Sequence, residues 1–385
     1  MNRSPSGISA SRRRFGDGPE VSLFTLGTMR ALASPEQMQE VLEAAVSAGI
    51  NHLETAPAYG PAEEFLGTAL QTCREAELAP RDGWVITSKV LPGVELEQGK
   101  RQLLACLQRL GMPRIDNWAV HGLNRPKHLA WALHGDGKEL LQWARGEGLV
   151  GQAGFSSHGP LELIHDAISS GAFRFCSLHL HLLEPSRLPL AAAALEAGMG
   201  VMAISPADKG GRLQDPSQTL QDDCSPFAPL ELAYRFLLDQ GISTLTLGAH
   251  QAADLALAQR LATADHPLHP AERKALAQME SARRQRLTPH ACGQCRACLP
   301  CPNQVPIPEL LRLRNLRLGH DLRAYCEERY NLIGRAGHWW ESRDARACER
   351  CGECLPRCPH GLPIPELLAE THSLLAAPPR RRLWG

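Results

Sequence analysis

The sequence predicts an α/β fold: a (β/α)8 TIM-type barrel followed by a small, mainly α-helical domain built around clustered cysteines. Three observations carry this prediction. Strand-like apolar runs alternate with helical patterns from residue 20 to 260. The alternation occurs eight times over about 240 residues, a length that suits a (β/α)8 barrel. Eight of the 13 cysteines then fall in two similar stretches, CGQCRACLPCP (292–302) and CERCGECLPRCP (348–359).

Taken in order, VSLFTLG (21–27) precedes the helical pattern 36–49, and INHLET (50–55) precedes 62–73. WVITSKV (84–90) precedes 96–111, IDNWAVHG (115–122) a helix near 136–147, and VGQAGFSS (150–157) the pattern 161–171. FCSLHLHLL (175–183) precedes 190–198, GVMAISP (200–206) precedes 229–241, and STLTLGA (243–249) precedes 252–262. Glycines at 49, 171, 198 and 241 close four of these helices, as a left-handed C-terminal residue requires. A doubly wound open sheet is the competing architecture. It needs a glycine-rich phosphate loop after its first strand, and LGTMRALAS (26–34) is not one.

The expected domains are a barrel over 1–265, a helical, arginine-bearing connector over 266–290 and the cysteine-rich domain over 291–385. The last is internally duplicated. Cys301 is followed by PNQVPIPELL and Cys358 by PHGLPIPELL, each with proline in the first helical turn. The segment between the copies is helical in pattern.

Bulk composition narrows the function. With 385 residues, 43% hydrophobic, formal net charge zero and pI 7.2, nothing marks a nucleic-acid or membrane-surface binder. The short basic runs (12–14, 283–284, 380–382) read as solvated ends. No apolar run approaches the ~20 residues of a membrane helix. SRRRF (11–15) looks like a twin-arginine export signal, but the polar GDGPE that follows is no apolar h-region. A cytoplasmic protein is expected. Eight thiols packed into two runs point to metal ligation in a reducing compartment rather than to a disulfide framework.

In each run three cysteines are spaced by two residues, and a fourth precedes proline. This C-x2-C-x2-C…C-P pattern is that of two-cluster ferredoxins, where the fourth cysteine serves the other cluster. By that logic Cys292, Cys295, Cys298 and Cys358 hold one [4Fe–4S] cluster, and Cys348, Cys351, Cys354 and Cys301 the second. The first copy has a two-residue final gap where the second has three. Zinc is the alternative; it usually takes two ligands from one CxxC knuckle and two from a distant one. Disulfides fit least. The five scattered cysteines read as buried apolar residues.

Catalytic groups of a (β/α)8 barrel sit at the C-terminal ends of its strands. Glu54, Lys89 and His121 end the second, third and fourth strand-like runs, and Tyr59 lies just past Glu54. Each alone is commonplace; the set on successive strands is not.

With these residues in place, the chain resembles the aldo-keto reductase family over residues 12 to 262. GINHLETAPAYGPAEEFLGTAL (49–70) resembles the stretch carrying an acid and, five residues on, the catalytic tyrosine. WVITSKV supplies the lysine and IDNWAVHG the histidine, while RRFGDGPEVSLFTLGTM (13–29) resembles the opening hairpin and first strand. The resemblance extends to a subfamily with an appended two-cluster domain, through ISPADKGGRL (204–213).

The resemblance implies NADP or NAD as cofactor and a small carbonyl or alcohol as substrate. Tyr59 would be the proton donor, its pKa lowered by Lys89; Glu54 would hold Lys89 and His121 would orient the carbonyl. Cofactor contacts would come from Ser156, Ser157, Ser205, Lys209, Gly210, Gly211, Gly248 and His250. The chain departs from the family in four places. Glu54 replaces an aspartate. Ser156-Ser157-His158 stands where Ser-Asn is usual. His179 and His181 occupy the region of the usual glutamine and stacking tyrosine. His250 is the single weak candidate for a 2′-phosphate.

Three functions follow. The first is an iron–sulfur aldo-keto reductase. Its difficulty is that a hydride carries two electrons and each cluster one, and no flavin motif bridges them. The second is a reductase fed by an outside donor such as ferredoxin. The third is a non-enzymatic redox-sensing or binding scaffold.

Overall fold

The computed structural model describes residues 10–80, 82–335 and 341–378. The basic run 380–382 lies outside the described residues. The chain divides into two compact units: one of residues up to Gly210 together with Ala233–Leu268, the other of Gly211–Leu232 and His269 onward.

The first unit is a closed barrel of eight parallel strands. They are β3 (Phe24–Gly27), β4 (His52–Glu54), β5 (Val85–Val90), β6 (Ile115–Val120), β7 (Val150–Ser157), β8 (Phe175–His179), β9 (Gly200–Ile204) and β10 (Thr244–Gly248). Each pairs with the next, and β10 closes on β3 through Leu245↔Phe24 and Gly248↔Gly27. All eight expected strands are present.

The helices include α1 (Pro35–Ser47), α2 (Ala62–Glu75), α3 (Leu96–Leu110) and α5 (Asp136–Gly146), where the sequence periodicity places them. Ser34 caps α1 by accepting from the Gln37 amide at 3.2 Å. The sequence reading missed α4 (Pro126–His134), which opens on a proline after Arg125. The expected helix over 252–262 is a 3₁₀ turn followed by the short Ala256–Arg260 helix.

A hairpin of β1 (Arg12–Arg13) and β2 (Val21–Ser22) precedes the barrel. Its loop drives Phe15, fully buried, against Phe175 (ring centroids 5.1 Å) and His52 (5.2 Å). Phe175 and Gly200 open their strands, so the plug fills the N-terminal end of the barrel. A Cβ on Gly200 would sit 2.5 Å from the Phe15 ring, which is why this strand begins with glycine. The export-like arginines are part of this lock: Arg13 donates to the Ile242 carbonyl and pairs with Asp265, and Arg12 donates to the Gly49 carbonyl at 3.0 Å.

Above the plug a hydrogen-bonded belt crosses six strands. Thr244 meets Thr25 (2.7 Å), Thr25 meets His52 Nδ1 (2.8 Å) and His52 Nε2 meets Thr87 (2.7 Å). Asn117 donates to Thr87 (3.1 Å), and Gln152 donates to Asn117 (2.7 Å). His52→Leu would cut the belt in two, leaving Thr25 with Thr244 alone and Thr87 with Asn117 alone in the buried core. We expect it to cost about 3 kcal/mol of stability, read from the urea midpoint of the purified variant.

The second unit is helical, with no strand among its described residues. It contains α8 (Gln218–Cys224), α11 (Pro270–Leu287), α12 (Ile307–His320), α13 (Arg323–Leu332) and α14 (Ile364–Leu375). Arg286 grips Asp223 through two bonds (2.5 and 2.7 Å), joining α11 to α8. Arg314, nearly buried, donates to Glu370 at 2.7 Å and ties α12 to α14. Tyr330 and His372 meet at 2.6 Å and tie α13 to α14.

Burial holds His52 down at about 3 and His320 at about 4, against an ordinary 6.5. The unfolded chain therefore protonates first. The stability these neutral imidazoles contribute is complete above pH 6.5 and is lost as pH falls toward 4 and then 3. Melting temperature should drop steeply across that window, and replacing either histidine by a neutral residue should flatten the drop.

Candidate functional site

Three strand ends and one loop bring the four expected residues together at the C-terminal mouth of the barrel. Glu54 is the last residue of β4, Lys89 the penultimate residue of β5, and His121 follows β6 with its amide bonded to the Val90 carbonyl at 2.7 Å. Tyr59 sits on the turn after β4, where its amide bonds to the Ala56 carbonyl at 3.0 Å.

Lys89 and Glu54 are almost wholly buried, 3% and 5% exposed, and form an ion pair through Nζ and Oε1. Lys89 Nζ also donates to the Thr55 carbonyl at 2.9 Å and to the Tyr59 hydroxyl at 3.0 Å. It therefore meets three oxygens, as an ammonium's three protons allow. The Tyr59 hydroxyl lies 3.4 Å from Glu54 Oε1, which the longer glutamate side chain brings within reach. The edge of His121 packs against Tyr59, ring centroids 5.6 Å apart.

The electrostatics correct one expectation. Lys89 does not depress the Tyr59 phenol; burial dominates and pushes it up to about 12. Burial also pulls Lys89 well below its ordinary value, and its partner there is the Glu54 carboxylate. Burial, then Lys89 and Lys209, hold His121 down at about 3. At neutral pH Tyr59 is thus a protonated phenol and His121 a neutral imidazole, and both can donate a hydrogen bond to one oxygen. An open cleft of about 680 Å³ reaches Lys89 and His121 between α2 and α3, with Gln98, Arg101 and Gln102 along its α3 wall.

The expected cofactor residues divide. The hydroxyls of Ser156 and Ser157 are engaged with backbone: Ser156 accepts from the Gly122 amide (3.0 Å), and Ser157 donates to the Leu123 carbonyl (2.6 Å). Ser205 turns the chain after β9 in a left-handed conformation (φ 53°). Lys209 Nζ lies 3.4 Å from His158 Nε2, and Gly210 runs so close to His181 that a Cβ would be 2.5 Å from its ring. Gly211 opens the second unit. Gly248 lies against the Arg30 side chain, and His250 is exposed, its amide bonded to Asp254 at 2.8 Å.

Two charged residues that the sequence reading missed stand beside these. Arg30, three residues after β3, faces Asp208 at 3.6 Å. Glu184 meets His179 Nε2 at 3.4 Å and Arg187 at 3.7 Å. The His158, His179 and His181 rings form a row with centroids 6.2 Å apart at each step. The signal for Arg30 was a lone basic residue just past a strand end.

The cysteine loops repeat each other in backbone as well as sequence. Gln294 and Arg296 in one, and Arg350 and Gly352 in the other, take left-handed φ of 58°, 63°, 54° and 79°. Alternation of this kind turns successive amides inward into an anion-binding nest, a form common to phosphate and iron–sulfur sites. Gln304 and Gly361, three residues beyond the fourth cysteines, repeat the device at φ 56° and 60°.

The thiols approach across the copies. Cys292 feels the charge of Cys295 and of Cys358, while Cys354 feels Cys348, Cys351 and Cys301. Burial first, then this mutual repulsion, raises both thiols, and Cys298 reaches about 11. A small concavity of about 20 Å³ is lined by Cys301, Cys348, Cys351 and Cys354. Among the described residues no three His, Cys, Asp or Glu side chains converge as ligands of a single metal ion. The five scattered cysteines are all buried. No helix among the described residues is long and apolar enough to cross a membrane.

Comparison with known proteins returns the Aldo/keto reductase family, matched over residues 23–267. A D-threo-aldose 1-dehydrogenase from a Pseudomonas species is 29% identical over 224 residues, 48% of this chain and 64% of that protein's own length. A putative aldo-keto reductase from Pseudomonas aeruginosa superposes with a TM-score of 0.54 at 25% identity, covering 66% of this chain and 97% of its own. An aldo-keto reductase from Bombyx mori, solved in complex with NADP, superposes at 0.57 and 22% identity, covering 71% and 93%.

Proposed function

From the premise that the chain belongs to the aldo/keto reductase family and is an oxidoreductase, we propose that it interconverts a small carbonyl and its alcohol with NADP or NAD at Tyr59, and exchanges single electrons through two [4Fe–4S] clusters. The observation that carries the first half is the convergence of Tyr59, Lys89, Glu54 and His121 on one point.

A bound nicotinamide supplies the hydride. The protein's own residues handle the oxygen. The neutral His121 imidazole orients the carbonyl by hydrogen bonding. Tyr59 gives its proton to that oxygen as negative charge builds there. The phenolate left behind is stabilised by the Lys89 ammonium at 3.0 Å, and Glu54 keeps that ammonium in place. In the oxidative direction the same groups act in reverse. Arg30, Lys209 and Gly210 line the side of the mouth suited to the cofactor phosphates. The likeness to an aldose dehydrogenase, and the amide and guanidinium groups along the cleft, make polyhydroxylated aldehydes the first substrates to assay.

The cysteine-rich region, residues 291–385, reads as a cluster domain. The duplicated nests and the crossing of thiols between copies fit two cubanes, each held by three cysteines of one loop and the fourth of the other. A cubane spreads its four thiolates over separate iron atoms, so they need not converge on one point. Such clusters suit the cytoplasm, where thiols stay reduced.

A second reading has a specific observation in its favour. His158 and His179 stand where the family presents amides to the nicotinamide, which suits a reductase fed by ferredoxin or another one-electron carrier. Anaerobic spectroscopy separates the two. Absorbance near 400 nm, at about the charge-transfer region of cubanes, should be present and should bleach on adding NADPH, the two electrons of each hydride dividing one to each cluster and its proton passing to solvent. Bleaching only with reduced ferredoxin or dithionite would support the second reading. A colourless protein containing zinc would overturn the clusters.

A further inference from the structure

The two cysteine loops are copies, so residues that differ at equivalent positions report what the copies do differently. Up to the third cysteine the positions are 56 apart, since Cys292 corresponds to Cys348 and 348 − 292 = 56. Gly293 answers to Glu349, Gln294 to Arg350, Arg296 to Gly352 and Ala297 to Glu353.

The charges nearly cancel at both loops. Arg296 faces Glu309 at 3.4 Å, while Glu349 and Glu353 stand with Arg350 and Arg357, the last 3.7 Å from Glu353. What remains is a hydrogen bond. Gln294 Nε2 donates to Cys292 Sγ at 3.3 Å. Among the described residues no side chain donates to Cys301, Cys348, Cys351 or Cys354. Arg350 leaves its loop from the same left-handed backbone as Gln294 (φ 54° and 58°) but bonds to no sulfur. The first loop is also flanked by His360, whose ring lies so close to Gly293 that a Cβ there would be 2.5 Å from Nε2; its counterpart in the other copy is Asn303.

An N–H donated to a ligating sulfur stabilises the more electron-rich, reduced state, and hydrogen bonds to sulfur are among the determinants of cluster potential. We infer that the two thiol sets are electrochemically unequal: the set of Cys292, Cys295, Cys298 and Cys358 holds its cluster at the higher reduction potential, and Gln294 is the residue that positions it there. This rests on the reading of both sets as [4Fe–4S] sites.

The test is an anaerobic reductive titration followed by EPR, with iron and acid-labile sulfide measured on every sample. The wild type should reduce in two separate steps. Gln294→Leu, similar in size but without the donor, should move the higher step down toward the lower while full iron content is kept. Arg350→Gln places the same amide on the other loop and should move the lower step up. A single shared potential in the wild type would overturn the inference and leave the clusters standing. So would a Gln294→Leu protein with full iron and both steps unmoved. A wild type without iron and sulfide would overturn the cluster reading and this inference with it.

Discussion

Tyr59→Phe should lower kcat for carbonyl reduction by about a thousandfold while leaving the fold and the cofactor affinity unchanged, because a positioned proton donor contributes roughly 10²–10⁴ in rate. The substitution removes one oxygen, which bonds to Lys89 at 3.0 Å and lies 3.4 Å from Glu54. The Lys89–Glu54 pair keeps its bond to the Thr55 carbonyl without it. The pH profile carries the same claim. Burial sets the phenol near 12 and His121 near 3, so neither group changes charge across about pH 5 to 9, and kcat/KM should be flat there as far as this pair is concerned. A basic limb near pH 8 that disappears in Tyr59→Phe would mean that the Lys89 charge, not burial, governs the phenol.

Cys301→Ala should lose about half of the iron and give the same EPR change as Cys354→Ala, although the two residues are 53 positions apart (354 − 301). Cys358→Ala should instead match Cys292→Ala. Both pairings follow from the crossing of thiols, Cys358 toward Cys292 and Cys301 toward Cys354. If Cys301→Ala matched Cys298→Ala, each loop would hold its own cluster and the crossing would be wrong.

Much of the architecture was legible in the sequence, for physical reasons. Strands buried on both faces read as continuous apolar runs, and each of the eight runs became a strand of the closed barrel. The four active-site candidates were legible because strand ends are easy to find and a barrel presents its strand ends at one mouth. The duplicated cysteine loops were legible because their C-x2-C-x2-C spacing is local, and both repeat the same left-handed backbone positions.

What escaped was set by tertiary packing. The His52 belt could not be foreseen, since a histidine in an apolar run does not announce the threonines on neighbouring strands. The Tyr59 pKa was misjudged because the sequence shows the lysine but not the burial that outweighs it. For Ser156 and Ser157, expected as cofactor contacts, the sequence could not show that their hydroxyls also bond to the turn after β6. Arg30 and Glu184 were missed because an isolated charge in a loop carries no pattern. The arginines read as a failed export signal are anchors of the hairpin, a role visible only once Asp265 and the Ile242 carbonyl are beside them.

The most direct test of the central claim is deuteride transfer. The protein, purified anaerobically, is given NADPH deuterated at C4 and a panel of short aldehydes that includes aldoses, and the products are analysed by mass spectrometry. The wild type should make alcohol carrying one deuterium on the former carbonyl carbon, and Tyr59→Phe should suppress it about a thousandfold. Unlabelled alcohol formed only when reduced ferredoxin or dithionite is supplied would contradict the claim, and would identify the barrel mouth as a site for electrons that arrive one at a time.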